Sequence, residues 1–389
     1  MSEELKVFLK RLWPLYLIVI VIPGLSYLAW YLWPSSTLDL VIIDKTVPNS
    51  TYREHNGLFY VLNYQKFIKS SGESYLTDQD YFGFVPNEKA DFGSVRGIPA
   101  SGNELTEWVS RKDLIYLTDT YGVYTENFKD IESGEKSKRI YGGLDAKDVE
   151  LLTEAKQQEK TIIGEYNSMA SPTPKFYRSS FENIMGLKWT GWIARYYEEL
   201  DTLVNKELPS WLIDNYTEQH GPWQLKGDGM IFVNESGEIQ VLNAVEDYQN
   251  KTPLIRTPKL NKPQFNLPEV VPYPDWFDIV LIERDYEVIS YFDLNPTGTG
   301  LEKLRKMGLP RFFPAAVTKK NGKGNLYYFS GDFSDFDGEL GSPRFKGISF
   351  LWRGFYVVAD YRDKQGFFWN YYLPLISQIL DREKSLKSE

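Results

Sequence analysis

Four short polar clusters in this chain carry side chains able to move protons. Asp44-Lys45, Asp119-Thr120-Tyr121 and Glu165-Tyr166-Asn167-Ser168 each follow an apolar run directly. Asp332-Phe333-Ser334-Asp335 follows another apolar run after a short break. Asp119 and Glu165 are the pair expected to do chemistry. Two carboxyl groups roughly 5–10 Å apart, one with a raised pKa, serve as acid and base, or acid and nucleophile, at a glycosidic bond. Arg195 and Asn167 are expected to position the substrate. Asp44, Lys45, His55, Tyr121, Arg178, Asp332 and Asp335 would complete its binding surface. The competing reading has these carboxylates capping helices or pairing with Arg178 and Arg195.

Other chemistries find less in the residues. Ser168 lies just after an apolar run, loosely where a nucleophile elbow would be. Met169-Ala170-Ser171-Pro172 follows it in place of the glycines such an elbow needs, and only His55 or His220 could serve as its base. Asp332, Asp335, Asp337 and Glu339 offer hard oxygen ligands. Their segment GDFSDFDGE lacks the full EF-hand spacing and reads as a solvated acidic loop, so no metal and no cofactor is expected. Cysteine is absent, which removes disulfides, thiolate nucleophiles and zinc-thiolate sites together. A net charge of −9 argues against a nucleic-acid partner.

Aromatic residues reach 16%, enough to supply flat faces for sugars as well as a core. Trp189, Trp192, Tyr196 and Tyr197 recur at helical spacing, which predicts core packing. Trp211, Trp223 and Trp276 stand beside prolines and loops, where exposure is expected.

The elements that must hold these groups follow from the hydrophobic pattern. Residues 13–33 (WPLYLIVIVIPGLSYLAWYLW) carry no charge and have aromatic residues at both ends, the pattern of a transmembrane helix with Pro23-Gly24 as its kink. The run is longer than a signal-peptide core and no small-x-small site follows, so a retained signal-anchor is expected. Lys6, Lys10 and Arg11 precede it, which predicts a cytoplasmic 1–12 and an exported main domain, in a bacterial envelope. The lipid bilayer is thus one expected partner, and a polysaccharide and envelope proteins are others.

Beyond the anchor, residues 38–43, 113–117 and 161–163 read as buried parallel strands, with a helix over 57–69 and another over 144–160 capped by Asp145. Strand, helix, strand at this spacing is a βαβ unit. Hairpins are predicted for 229–233 with 238–242 and for 278–282 with 287–292, and strands for 312–317 and 325–329. A helix over 299–307 should close at Gly308, and 367–380 should form a core or interface helix. The expected domain runs from 38–251, through a proline-rich linker or insertion at 252–274, to 275–380 and a charged tail at 381–389. The fold class is α/β: a doubly wound, mostly parallel sheet with antiparallel additions. Its ligand crevice should lie beyond the carboxyl ends of the strands.

Two stretches together resemble the class I glutamine-amidotransferase-like superfamily. Residues 161–168 (TIIGEYNS) are similar to the strand and turn where that family places its nucleophile. Residues 322–333 (GKGNLYYFSGDF) are similar to its late strand segment. The resemblance implies a flavodoxin-like sheet with a crevice at its strand ends. The family's cysteine has no counterpart, Tyr166 or Asn167 falls near its position, and Asp332 and Asp335 stand where a His-x-Glu pair would follow. Thiolate release of ammonia from glutamine is therefore excluded. Whether the protein is an enzyme stays open. The leading expectation is a membrane-anchored extracytoplasmic protein that binds or processes an envelope or exported polysaccharide. The alternative is a non-catalytic, degenerate amidotransferase-like scaffold subunit, and a protease or esterase built on Ser168 comes last.

Overall fold

The computed structural model describes residues 10–87, 93–128, 137–250, 252–356 and 364–388, with Glu4 and Phe8. Five apolar runs form parallel strands: β1 (Leu40–Asp44), β2 (Phe82–Val85), β3 (Leu114–Asp119), β4 (Thr161–Glu165) and β5 (Gly324–Phe329). Their spatial order is β2-β1-β3-β4-β5, the flavodoxin-like arrangement, whose switch point lies between β1 and β3. Asp44 and Asp119 are register partners at that point.

Alternate side chains leave the sheet on opposite faces, and both faces are covered. Leu40, Ile42, Leu114, Tyr116 and Ile163 pack under helix Arg53–Tyr64 and the C-terminal helix at 364–388. Val41, Ile43, Ile115, Leu117 and Ile162 pack under helices Gly102–Ser110, Ala146–Gln157 and Lys175–Met185. Asp145 caps Ala146–Gln157 as expected, accepting from the Lys147 and Asp148 amides at 2.8 and 3.2 Å. Helix Gly298–Lys306 is followed by Gly308 at a φ of 72°, again as expected.

Antiparallel strands extend the sheet beyond β5, in the order 313–321, 287–293, 254–256 and 270–272, and Ser94–Arg96 extends the β2 edge. A second antiparallel sheet has the order 239–243, 229–234, 187–197, 277–282. The structure corrects several expectations. Residues 277–282 and 287–293 are not a hairpin, because each pairs into a different sheet. Residues 252–274 are no simple linker, since 254–256 and 270–272 are paired strands. Residues 381–388 continue the C-terminal helix rather than trailing off. Glu383 is buried and accepts from the Thr161 hydroxyl at 2.7 Å, and Lys387 bridges Asp113 at 2.7 Å.

The aromatic segment Leu187–Tyr197 is an eleven-residue strand, not a helix. Gly191, at a φ of 87°, sits where the register shifts between Trp189 and Ile193. That bulge offsets the two-residue alternation, so Trp189 and Trp192 are both buried three positions apart and imitate a helical spacing. Among the described residues one helix, Trp13–Leu32, is long and apolar enough to cross a membrane, and its apolar window is unburied. The expected break at Pro23 takes the form of a π-helical stretch, Leu17–Val21, just before it.

Candidate functional site

The crevice at the carboxyl ends of the strands has a volume of about 1400 Å³. Its floor is lined by Glu54, Asp119, Asp332 and Asp335, with Arg53 and Lys364 beside them. Its walls carry Tyr121, Tyr124, Tyr166, Trp189, Tyr197, Trp211 and Trp276, with Trp189 and Tyr197 in the second sheet and Trp276 just before one of its strands.

Two chain segments build the acidic floor by zipping together. The loop after β5 runs along the first turn of helix Arg53–Tyr64. The Gly57 amide donates to the Ser334 carbonyl at 3.1 Å, and the Phe336 amide donates to the Arg53 carbonyl at 2.8 Å. A Cβ on Gly57 would stand 2.9 Å from the Ser334 carbonyl oxygen, so glycine is what lets the helix come this close. The result brings one carboxylate oxygen each of Glu54, Asp332 and Asp335 within 4.8 Å of one another.

These carboxyls live in unequal surroundings. Asp335 accepts from Arg53 at 3.1 and 2.7 Å and from Lys364 at 2.9 Å. Burial alone would raise its pKa, but the two cations outweigh it and hold it below the ordinary value. Glu54 and Asp332 are pushed well above theirs, first by burial and then by neighbouring carboxylates. Glu54 Oε2 and Asp332 Oδ1 are buried with no hydrogen-bond partner among the described residues. Asp119 accepts from the Thr46 hydroxyl at 2.6 Å, the Tyr121 amide at 2.5 Å and Asn167 Nδ2 at 3.2 Å. Burial pushes its carboxyl up to about 7, Thr46 opposing and Asp44 adding to the shift. Glu54, Asp332 and Asp335 are also the described residues grouped closely enough to hold a cation. Arg53 and Lys364 already bring two positive charges to Asp335, so an ion there would share that ligand with both.

Of the expected site residues, the structure brings Asp119, Tyr121, Asn167, Arg195, Asp332 and Asp335 to the crevice. Arg195 lies over the Tyr197 ring, with its guanidinium 3.8 Å from Glu207 and 3.9 Å from Asp275. Five others lie elsewhere. Glu165 is fully buried beneath the floor. It accepts from the Phe333 amide, the Ser334 amide and the Ser334 hydroxyl, each at 3.0 Å, and from the Tyr116 hydroxyl. Ser334 has one hydroxyl proton to share between Glu165 and the Glu54 carbonyl at 2.7 Å. Burial pushes the Glu165 carboxyl up to about 8, the Tyr116 and Ser334 donors opposing. One oxygen is thus engaged by Tyr116 and the other by the loop that carries Asp332 and Asp335, so Glu165 ties that loop to the sheet.

Asp44 and His55 form a buried pair at 2.5 Å, and the other ring nitrogen of His55 faces the Thr77 carbonyl at 3.0 Å. Lys45 points away into Gly143 O, Asp145 and Asp148, at 3.0, 2.9 and 2.5 Å. Arg178 pairs with Glu235 at 2.8 Å and stacks on Trp189, behind the wall. Ser168 is buried and donates to the Glu165 carbonyl at 2.7 Å, while both histidines are engaged with other groups.

Sequence reasoning missed Glu54, Arg53, Asp275 and Lys364. Glu54 carried one usable signal, an acidic residue opening the helix that follows β1. Lys364 carried none, because only the tertiary fold brings it to Asp335.

No protein-family model matches the sequence, and no curated protein matches it. Among solved structures the chain is similar to a ThuA-like protein from Bacteroides uniformis, at 10% identity and a TM-score of 0.33, covering 78% of this chain and 86% of that one. It is also similar to Agd3, described as a carbohydrate deacetylase, at 13% identity and a TM-score of 0.31. That match covers 76% of this chain and 30% of Agd3.

Proposed function

We propose that the protein is anchored in a membrane by residues 13–32, carries its main domain outside the cytoplasm, and binds and processes an envelope polysaccharide in the crevice. The observation that carries this reading is the floor itself. Asp119 and Glu54 are buried and Asp332 is half-buried, and among the described residues none has a directly bonded cation apart from Arg53 at Glu54. All three face an open cleft walled by aromatic rings. Flat rings suit the apolar faces of sugars, and carboxyls suit their hydroxyls. Perturbed carboxyls gathered in a cleft are the usual signature of acid–base chemistry.

Roles follow from the environments. Asp119, held near neutrality, is the group able to take a proton from water or a sugar hydroxyl. Asp332, pushed well above its ordinary range by burial and by neighbouring carboxylates, is the group better suited to give one to a leaving oxygen. Asp335 stays ionised and fixes Arg53 and Lys364. The non-catalytic scaffold reading has one observation in its favour. Asn167 occupies the turn after β4 with a φ of 68°, close to where the amidotransferase-like family places its nucleophile, and an amide cannot attack.

The test uses full-length protein in detergent, a panel of bacterial polysaccharides and mass spectrometry of new products. Products from wild type that vanish with Asp119→Asn support the reading. Products that persist in both Asp119→Asn and Asp332→Asn sink the acid–base assignment. Neither products nor binding to any glycan leaves the scaffold reading in its place.

A further inference from the structure

The helix Ile348–Phe355 presents an apolar face to the outside. Phe350 is 85% exposed, Phe355 71% and Leu351 49%. Its inner side is fixed: Trp352 packs on Trp369 with ring centroids 6.3 Å apart, and Ser349 Oγ lies 2.9 Å from the Tyr64 hydroxyl. Aromatic side chains held out in this way on a firmly docked helix call for a covering surface.

The chain just before this helix is tied to the N-terminal apolar helix. The Lys346 amide donates to the Ser26 carbonyl at 3.2 Å, and the Ser26 hydroxyl donates to the Lys346 carbonyl at 2.8 Å. The Tyr27 and Phe345 rings meet edge-on at 6.2 Å. Ser26 lies six residues before Leu32, so this tie sits roughly 9 Å inside the end of the apolar helix at 1.5 Å per residue. Cations ring the end of the apolar helix. Lys346 Nζ stands 3.4 Å over the Trp33 ring, Lys66 Nζ binds the Trp33 carbonyl at 2.5 Å, and Arg344 lies 6.0 Å over Trp30.

We infer that helix Ile348–Phe355 is an interfacial helix, sunk into the outer leaflet beside the anchor with Phe350, Leu351 and Phe355 among the acyl chains. This rests on the reading of residues 13–32 as membrane-spanning. The depth argument selects lipid as the occupant. A segment bonded to Ser26 starts at the level of the headgroups or below, where an apolar face meets hydrocarbon and nearby lysine and arginine meet phosphate. The domain is thereby held to the bilayer at two points rather than swinging on one helix.

The absence of cysteine makes the test direct, because one introduced cysteine is the only labelling site. Full-length Phe350→Cys, Phe355→Cys, Leu25→Cys and Leu203→Cys would each carry an environment-sensitive fluorophore, in vesicles of phosphatidylcholine and phosphatidylglycerol with or without brominated acyl chains. Leu203 is a comparably exposed apolar residue next to Val204, which lines the crevice. The expected result is blue-shifted emission and bromine quenching at positions 350 and 355 comparable to that at 25, with none at 203. Quenching at 25 alone overturns the inference and leaves the anchor standing. Quenching at none of the four overturns the anchor reading and this inference with it. A blue shift at 350 without quenching overturns it in favour of a protein, or a second copy of this chain, covering that face.

Discussion

Glu165 and Asp332 lie at opposite ends of one short loop contact, and the protein treats them in opposite ways. Glu165 is buried and saturated, with donors from Tyr116, Phe333 and Ser334 filling both oxygens. Asp332 has a buried oxygen with no hydrogen-bond partner among the described residues. Both carboxyls are driven toward the protonated form by loss of water around them. In the first case the carboxyl organises protein. In the second it is left to organise something else. A raised pKa therefore does not by itself mark a catalytic group; the satisfied carboxyl builds the floor on which the unsatisfied ones are displayed.

The strongest attempt to break this comparison is functional. Asp119→Asn should lower glycan turnover by about 10²–10⁴-fold while leaving the unfolding midpoint nearly unchanged. Glu165→Gln should lower turnover only as far as it loosens the loop. Equal losses from both substitutions, at equal stability, would erase the distinction.

Stability should show the reverse order. Glu165→Ala leaves two buried amides and the Tyr116 hydroxyl without their acceptor, and should cost about 3–5 kcal/mol in denaturant unfolding. Asp332→Ala removes a carboxyl that repels its neighbours, and should change stability by less than about 1 kcal/mol or raise it.

The pH dependence sharpens the same contrast. Glu165 has a folded pKa of about 8 against an ordinary 4.5, so the folded state binds the extra proton between those values. Its contribution is complete below about 4.5 and is lost as the pH rises through 8, at roughly 1.4 kcal/mol per pKa unit. Asp119 acts with the same sign up to about 7. Unfolding free energy should therefore fall from pH 5 to 8, and Glu165→Gln should flatten that fall. A slope unchanged by the substitution would show that Glu165 does not titrate there. The smallest effect is expected from Tyr372→Phe, which removes the 3.1 Å contact to Tyr116 and should cost about 0.5–1.5 kcal/mol.

Much of the frame is legible in the amino-acid sequence, because β1, β3 and β4 are buried on both faces and advertise it as unbroken apolar runs ending in carboxylates. That pattern alone assigns Asp119 and Asn167 to the crevice, where both are found. The rest resists reading for physical causes. The Gly191 bulge disguises a strand as a helix. Strands 254–256 and 270–272 are only three residues long and sit among prolines. Glu165 shares its strand-end position with Asp119, and nothing local reveals that a loop some 170 residues later supplies its donors. Glu54 reaches the floor because Gly57 permits a close approach, a fact that belongs to the packing and not to the pattern.

Helix Arg53–Tyr64 is also a measuring rod. Glu54 stands at the crevice, while Tyr64 at the far end receives the Trp30 indole proton at 3.0 Å and abuts Ser349. Ten residues at 1.5 Å each separate the acidic floor from the contact with the N-terminal apolar helix by roughly 15 Å along this helix's axis. One rigid element thus joins the crevice to the apolar helix, so on the proposed reading of residues 13–32 as an anchor it is this helix that sets the spacing between the two.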